Sequence, residues 1–180
     1  MRIKKDEVIG LVIDVQGKLL PHMYEADKVE EGIVKLAKGL AYLDIPVVVS
    51  EQYRKGLGET VESVSSVVVD YNPLEKKSFS CLDERILNDA IFSKNKKYVI
   101  ISGIETHICV MQTAIDMIEA GLIPVIVEDA VSSRKENDKN IAIERLRSEG
   151  AIITTIESIL FELTRFSGSE VFKNISKLIK

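Results

Sequence analysis

Cys109 has the residue type and the setting of a catalytic nucleophile. An apolar run at 98–101 leads into a turn at 103–110, and residues 111–120 have the apolar spacing of a helix. Cys109 therefore lies near a helix start, three residues after the good N-cap Thr106, where unpaired N–H groups and the helix dipole favour a thiolate. A thiolate attacks carbonyl carbons, but free cysteine is also a common small core residue, so on spacing alone both interpretations stay open.

Charged side chains that could assist a nucleophile occur at the ends of predicted strands. Asp14 directly follows an apolar run at 8–13. A carboxylate there could act as an acid or base, or it could simply start a turn or cap a helix. Lys76 and Lys77 precede Phe79, and an adjacent lysine pair is ordinarily part of the solvated surface.

His107 and Cys81 are weaker candidates for chemistry. Residues two apart on a helix do not face each other, so His107 is expected to point away from Cys109. Cys81 has no comparable setting and is expected to pack in the core. With two histidines and no Cys-x-x-Cys or His-x-x-x-His pair, the sequence predicts neither a metal site nor a bound cofactor.

Bulk composition narrows the class of protein and of partner. The chain has 180 residues, so we expect one globular domain spanning 1–180. A net charge of −4 predicts no nucleic-acid partner and no anionic membrane surface. No apolar run reaches the ~20 residues of a membrane helix, and the first residues do not resemble a signal peptide. Two cysteines predict no disulfide framework, and a cytoplasmic location is expected.

Strands and helices are predicted to alternate along the chain. The apolar runs lack polar alternation, which indicates strands buried on both faces of a parallel sheet. The predicted fold is therefore a three-layer α/β/α sandwich with a mostly parallel sheet, and ligands of such sheets bind beyond the carboxyl ends of the strands. Strands are predicted at 8–13, 46–50, 97–102, 122–128 and 151–155, and helices at 29–43, 82–92, 111–120, 136–149, 158–164 and 169–179.

The stretch between 51 and 80 is the least regular part of the sequence. It is predicted to contain a loop at 51–58 and a short helix at 59–65. A further short strand is predicted at either 67–69 or 77–79, and the pattern does not choose between them.

Taken together, these motifs resemble the isochorismatase-like cysteine hydrolases, whose fold is Rossmann-like. The resemblance covers nearly the whole chain and is strongest in the branch called isochorismatase domain-containing proteins. The family motifs are the first-strand signature 11–16, the lysine, aromatic and serine segment 76–80 and the nucleophile motif 103–110, and the branch is carried by 50–58, 128–134 and 154–163.

The resemblance assigns roles to residues that spacing alone left open. It implies that Cys109 is the nucleophile, Asp14 the catalytic acid and base, and Lys76 the cation of a triad. Lys76 rather than Lys77 is implied because members of the family keep two residues between the lysine and the aromatic residue, here Phe79.

The resemblance also implies a backbone feature and a set of pocket residues. A cis peptide bond is expected between Ile104 and Glu105, with the N–H groups of Glu105 and Cys109 forming an oxyanion hole. Gln16, Tyr53 and Phe79 are expected to contact the substrate. Glu105 replaces a smaller residue common in the amidases, which would narrow the pocket or add charge to it.

The implied activity is hydrolysis of a small amide-type C–N bond through a Cys109 acyl-enzyme. The cysteine argues for acyl chemistry over the vinyl-ether cleavage of true isochorismatases. Residues 51–54 lack the Asp-x-His pair of zinc-binding nicotinamidases, so neither zinc nor nicotinamide is implied. Family members of this size form homo-oligomers, dimers or larger. A catalytically silent ligand- or partner-binding protein and a thiol redox sensor are the alternatives.

Overall fold

A six-stranded sheet forms the centre of the protein. The structure is a computed structural model that describes residues 2–180, so Met1 of the predicted domain lies outside the described residues. All five strand pairings are parallel, and the strand order is β3-β2-β1-β4-β5-β6. The strands are β1 Val8–Ile13, β2 Val47–Gln52, β3 Leu74–Lys76, β4 Tyr98–Ile104, β5 Ile123–Ser132 and β6 Ile152–Thr154.

Helices connect the strands along most of the chain. Across residues 2–180, no helix combines the length and the apolar character needed to cross a membrane. A π-helical turn, Thr106–Val110, runs directly into α5. The α-helices are α1 Ala26–Tyr42, α2 Arg54–Leu57, α3 Glu62–Ser65, α4 Arg85–Phe92, α5 Met111–Glu119, α6 Glu136–Glu149, α7 Ile156–Thr164 and α8 Glu170–Ile179, and short 3-10 turns occur at Lys5–Glu7 and Leu20–His22.

Helices cover both faces of the sheet, which confirms the predicted three-layer sandwich. All six residues of β1 are buried, and their side chains alternate between two hydrophobic cores as the period of a strand requires. Val8 and Val12 pack into the core that includes α1, α7 and α8. Ile9, Leu11 and Ile13 pack into the core that includes α4, α5 and α6.

The edge strand β3 corrects the prediction for the irregular stretch. Neither 67–69 nor 77–79 is a strand, and the edge of the sheet is formed by Leu74–Lys76. Residues 67–69 lie in the turn that follows α3. The N–H groups of Lys77 and Ser78 donate to Glu84 Oε1 at 2.9 and 3.2 Å, so that segment bends away instead of pairing with a strand.

The second strand is longer than predicted, and this affects the position of a charged residue. Glu51 and Gln52, predicted to lie in a loop, continue β2 and pair with Glu75 and Lys76 of β3. Lys76 thereby lies at the carboxyl end of β3. The order of the strands reverses between β1 and β4, which is the point where sheets of this type bind ligands.

Candidate active site

Asp14 lies immediately after β1, at the carboxyl edge of the sheet. Its backbone is in the left-handed region, with φ at 54°, a conformation that aspartate tolerates better than most residues. Its side chain is fully buried and its Oδ2 lies 2.7 Å from Lys76 Nζ. Oδ1 accepts a hydrogen bond from Ser50 Oγ at 2.7 Å. Among residues 2–180, no donor reaches Oδ2 with good hydrogen-bond geometry, despite the nearby ammonium.

Lys76 is buried, and its ammonium has three oxygen neighbours. Besides the ion pair with Asp14, Nζ donates to Gln52 Oε1 at 2.6 Å and to the Ser78 carbonyl at 3.2 Å. Burial disfavours the ammonium, but the Asp14 carboxylate outweighs it and holds the pKa of Lys76 above its ordinary value. Lys77, its neighbour, is exposed. The structure therefore brings Lys76, and not Lys77, to Asp14.

Cys109 lies in the π-helical turn that follows β4, and it is 6% exposed. Asp14 and Lys76 are its charged neighbours, and both act on the pKa of its thiol. Burial raises the pKa of the thiol far above its ordinary value, the Asp14 carboxylate adds to this, and Lys76 opposes it. The expectation that a helix start would favour the thiolate is thus wrong for the resting site, where the protonated thiol dominates.

The backbone around Cys109 also differs from the predicted helix start. Thr106 lies inside the π-helical turn and its side chain caps nothing. The Glu105 carbonyl, just before the turn, accepts from the N–H groups of Ile108 and Val110 at 3.1 and 3.2 Å. Thr106 Oγ1 is buried and has no hydrogen-bond partner within the described part of the chain.

Glycine at position 103 brings β4 close to β1 next to the site. Gly103 has φ at 118°, and a Cβ atom there would lie 2.1 Å from the Ile13 carbonyl oxygen and 2.6 Å from the Ile13 nitrogen. Any side chain would therefore push β1 and β4 apart at the residue that precedes Asp14. One residue further along, the peptide bond between Ile104 and Glu105 is cis, at the position where the family resemblance implies one.

Glu105 carries a paired charge. Its carboxylate is 8% exposed, and Oε2 lies 2.9 Å from Arg134 Nε. The Arg134 backbone N–H also donates to Oε2, at 3.3 Å. The Arg134 side chain is 59% exposed, so this ion pair connects the cysteine turn to the segment that follows β5. The charge that Glu105 would add to a pocket is balanced by Arg134.

The three predicted pocket residues have different surroundings. Tyr53 and Phe79 follow the carboxyl ends of β2 and β3 and are 49% and 54% exposed. Gln16 is fully buried, and its amide nitrogen donates to the carbonyls of Gln52 and Gly58 at 3.0 and 2.6 Å while its oxygen accepts from the Gln52 N–H at 2.7 Å. The structure gives Gln16 a role in fixing two chain segments, and substrate contact by any of the three stays a prediction.

Sequence reasoning missed three residues of this cluster. Ser50 donates to Asp14, Gln52 accepts from Lys76, and Cys81 lies next to Ser50 with its backbone N–H donating to Thr113 Oγ1. Burial raises the pKa of the Cys81 thiol to about 11. For Ser50 and Gln52 a signal was present, because polar residues directly follow a buried valine run. For Cys81 no signal was present, because only the fold brings it to Asp14.

A second buried carboxylate lies one strand away from Asp14. Glu51 Oε1 accepts from the Thr60 N–H, the Thr60 hydroxyl and the Tyr71 hydroxyl at 2.7, 2.8 and 3.1 Å, and Oε2 pairs with Arg54. Burial alone would raise the pKa of Glu51, but these hydrogen bonds outweigh it and hold the pKa below its ordinary value. Glu51 thereby anchors the loop beside the site.

Two further findings concern bases and metals. His107 Nδ1 lies 2.9 Å from Ser133 Oγ, which agrees with the prediction that His107 turns away from Cys109. Within residues 2–180, no group of three or more His, Cys, Asp or Glu side chains is arranged to hold a metal ion.

Similarity to known sequences extends over nearly the whole chain. Residues 9–158 match the family model of the isochorismatase domain. Isochorismatase family protein 1B of Dictyostelium discoideum is 38% identical over 173 residues, which make up 94% of this chain and 84% of that protein.

Solved structures are similar over the same extent. The structure of the MAR1 ribonuclease from Caenorhabditis elegans has a TM-score of 0.92 and 34% identity, and covers 99% of this chain and 92% of its own. The YcaC gene product of Escherichia coli, described as an octameric hydrolase of unknown specificity, has a TM-score of 0.94 over 99% of this chain and 89% of its own. At 24% identity, that second likeness is one of fold.

Proposed function

Because the chain belongs to the isochorismatase family of hydrolases, we propose that it is a cysteine hydrolase acting on a small amide-type substrate. The observation that carries the proposal is the buried cluster of Asp14, Lys76 and Cys109, in which Asp14 and Lys76 form an ion pair next to the thiol. A nucleophile, a base and a cation in one buried cluster meet the requirement of covalent acyl transfer.

The first step is activation of the thiol. Burial and the neighbouring carboxylate raise the pKa of the Cys109 thiol, so the resting enzyme holds a proton on sulfur. Asp14 accepts that proton as the sulfur forms its bond to the substrate carbonyl carbon. Lys76 stays charged and stabilises the negative charge that moves between Asp14 and Cys109.

The later steps return the proton and release the products. The N–H groups of Glu105 and Cys109 stabilise the oxyanion of the tetrahedral intermediate. Asp14 then donates its proton to the departing nitrogen, and the C–N bond breaks to leave a thioester on Cys109. Water, deprotonated by Asp14, hydrolyses the thioester and restores the free thiol.

The remaining expectations form part of the same proposal. Tyr53 and Phe79 provide an aromatic border to the site. Gln16 holds the chain segments around Gln52 and Gly58 in place beside the site. The chain is one domain and acts in the cytoplasm on a small molecule, without a cofactor. It assembles as a homo-oligomer, to which the octameric E. coli structure lends support.

A screen of amides, ureas and imides for release of ammonia or amine tests the proposal. We expect turnover with the wild-type chain, none with Cys109→Ala, and an acyl mass increment on the peptide that contains Cys109. Cys81→Ala is the matched control, because it removes the other buried thiol and leaves the nucleophile in place. Turnover that survives in Cys109→Ala would disprove covalent catalysis by this residue.

Two other activities are separated by the same set of variants. RNA is included as a substrate because a relative is described as a ribonuclease, although a net charge of −4 does not favour binding of nucleic acid. Reversible oxidation of Cys109 without any turnover would indicate a thiol redox sensor, with Cys81 as the nearby second thiol.

A further inference from the structure

We propose that Ser50 is a positioning residue for the Asp14 carboxylate, fixing which of its two oxygens is free to exchange a proton with Cys109. This inference rests on the proposed function, because it assumes that Asp14 is the proton acceptor. The sequence patterns assigned no role to Ser50, which lies near the end of β2 and is fully buried.

The Ser50 hydroxyl has one proton, and the geometry assigns it to Asp14. Oγ lies 2.7 Å from Asp14 Oδ1, and the Asp14 backbone N–H donates to the Ser50 carbonyl at 3.1 Å. Both ends of the aspartate, main chain and side chain, are therefore bonded to the same serine. With Oδ1 occupied, Oδ2 is the oxygen that faces Lys76 at 2.7 Å and lacks a well-aligned donor among residues 2–180.

Two further residues surround the Ser50 hydroxyl. Cys81 lies next to it, in the same buried cluster as Asp14. Cys81 is held in turn by Thr113, whose Oγ1 accepts from the Cys81 N–H at 2.9 Å. Thr113, Cys81, Ser50 and Asp14 are all fully buried, so the hydrogen bond between Ser50 and Asp14 is shielded from water.

The groups that can change charge around Asp14 are few and come from separate elements. Lys76 approaches from β3, Cys109 from the π-helical turn, and Cys81 from the loop after β3. Lys76 and Cys81 keep their protons at neutral pH, because the pKa of Lys76 is raised and that of Cys81 is about 11. The proton shared by Asp14 and Cys109 is thus the one that Ser50 influences.

The pH dependence of Cys109 alkylation by iodoacetamide tests this role without needing a substrate. The rate is followed on the peptide that contains Cys109, from about pH 4 to about pH 9, in the full chain. In Ser50→Ala, the carboxylate has lost a donor that favours its charged form and takes up a proton more easily. The fall of the alkylation rate at low pH is called the acidic limb of the profile. We expect this limb to move to higher pH by about one unit.

Three companion variants separate positioning from mere packing. Ser50→Thr keeps the hydroxyl and should restore the wild-type limb. Ser132→Ala removes another buried serine hydroxyl at a strand end, one that donates to the carbonyls of Tyr24 and Ser133, and should leave the limb in place. If Ser50→Ala does not fold, Ser50→Cys supplies a weaker donor of similar size and should shift the limb in the same direction by less.

The outcomes are distinguishable from failure of the proposed function. An equal fall in rate at every pH, or an unchanged profile, in a folded Ser50→Ala or Ser50→Cys overturns the role of Ser50. Asp14→Asn is run in parallel and should remove the acidic limb. If Asp14→Asn keeps the limb, the base of the proposed mechanism and the role of Ser50 both fail. If only the Ser50 variants keep it, the role of Ser50 fails alone.

Discussion

Two fully buried carboxylates lie one strand apart at the same edge of the sheet, and each is paired with a cation. Glu51 pairs with Arg54 and also accepts three hydrogen bonds from Thr60 and Tyr71, so its lone pairs are engaged. Asp14 pairs with Lys76 and accepts one hydroxyl, and its remaining contact is a protonated thiol.

The difference explains why one carboxylate is structural and the other is suited to chemistry. An ionised carboxylate has about four lone-pair sites. Glu51 accepts from four fixed donors, three at Oε1 and one at Oε2, and these donors hold its pKa down. Asp14 keeps an oxygen without a well-aligned donor next to a thiol that has a proton to give. Burial and charge alone therefore do not distinguish the two carboxylates, and the hydrogen bonds that their oxygens accept do.

The strongest test replaces each carboxylate by its amide and measures turnover. Asp14→Asn removes the proton acceptor, so kcat/KM for any substrate found in the screen should fall by ~10²–10⁴-fold. Glu51→Gln should cause a much smaller loss, because Glu51 takes part in no proton transfer. Equal losses in the two variants would erase the distinction between the two carboxylates.

Replacing the cation tests the Asp14 cluster by stability. Lys76→Met leaves the buried Asp14 carboxylate without its partner and should lower the free energy of unfolding by ~3–5 kcal/mol. Lys77→Met is the matched control on the exposed neighbour and should change it by less than about 0.5 kcal/mol. Urea denaturation measures both, and a Lys76 variant as stable as the Lys77 variant would contradict the buried ion pair.

The Glu51 cluster should respond through stability and not through chemistry. Glu51→Gln turns two of its acceptor positions into donors and leaves bonded groups of the loop unsatisfied, at a cost of ~1–3 kcal/mol in the free energy of unfolding. The comparison variant is Glu62→Gln, which changes a carboxylate on the neighbouring α3 that takes no part in this cluster. Urea denaturation measures both variants. A urea midpoint of Glu51→Gln equal to that of Glu62→Gln would show that Glu51 does not anchor the loop.

The smallest expected effect is a pH dependence of the difference in unfolding free energy between the wild type and Glu51→Gln. The pKa of Glu51 is lowered below its ordinary 4.5, so its contribution is present above pH 4.5 and is lost as pH falls through the folded-state value. The stability gap between the wild type and Glu51→Gln should therefore narrow as urea midpoints are measured from about pH 6 down to about pH 3. A difference in stability that grows on acidification would contradict the lowered pKa of Glu51.

The regular parts of the fold were predictable because their residues carry a strong pattern. Every residue of β1 is apolar and buried on a two-sided sheet, and α6 begins and ends at the predicted residues, with Gly150 as its C-cap. The edge strand β3 was missed because Leu74, Glu75 and Lys76 have no alternation of their own. Only pairing with β2 makes that segment extended.

The candidate site was predictable in its parts and not in its electrostatics. Family motifs named Asp14, Lys76 and Cys109, and the fold brings these three into contact. The protonated state of Cys109 was not predictable, because it depends on burial by segments distant in sequence. The involvement of Cys81 was missed for the same reason.

The close approach of β1 and β4 at Gly103 has a consequence for how the protein can vary. A single methyl group at this position would overlap the main chain of Ile13, which has no flexible end that could move aside. Mutational tolerance should therefore be lowest at a residue that touches no substrate. In a saturation library selected for turnover, codon 103 should return glycine alone, while codons 53 and 79 at the aromatic border accept a range of residues.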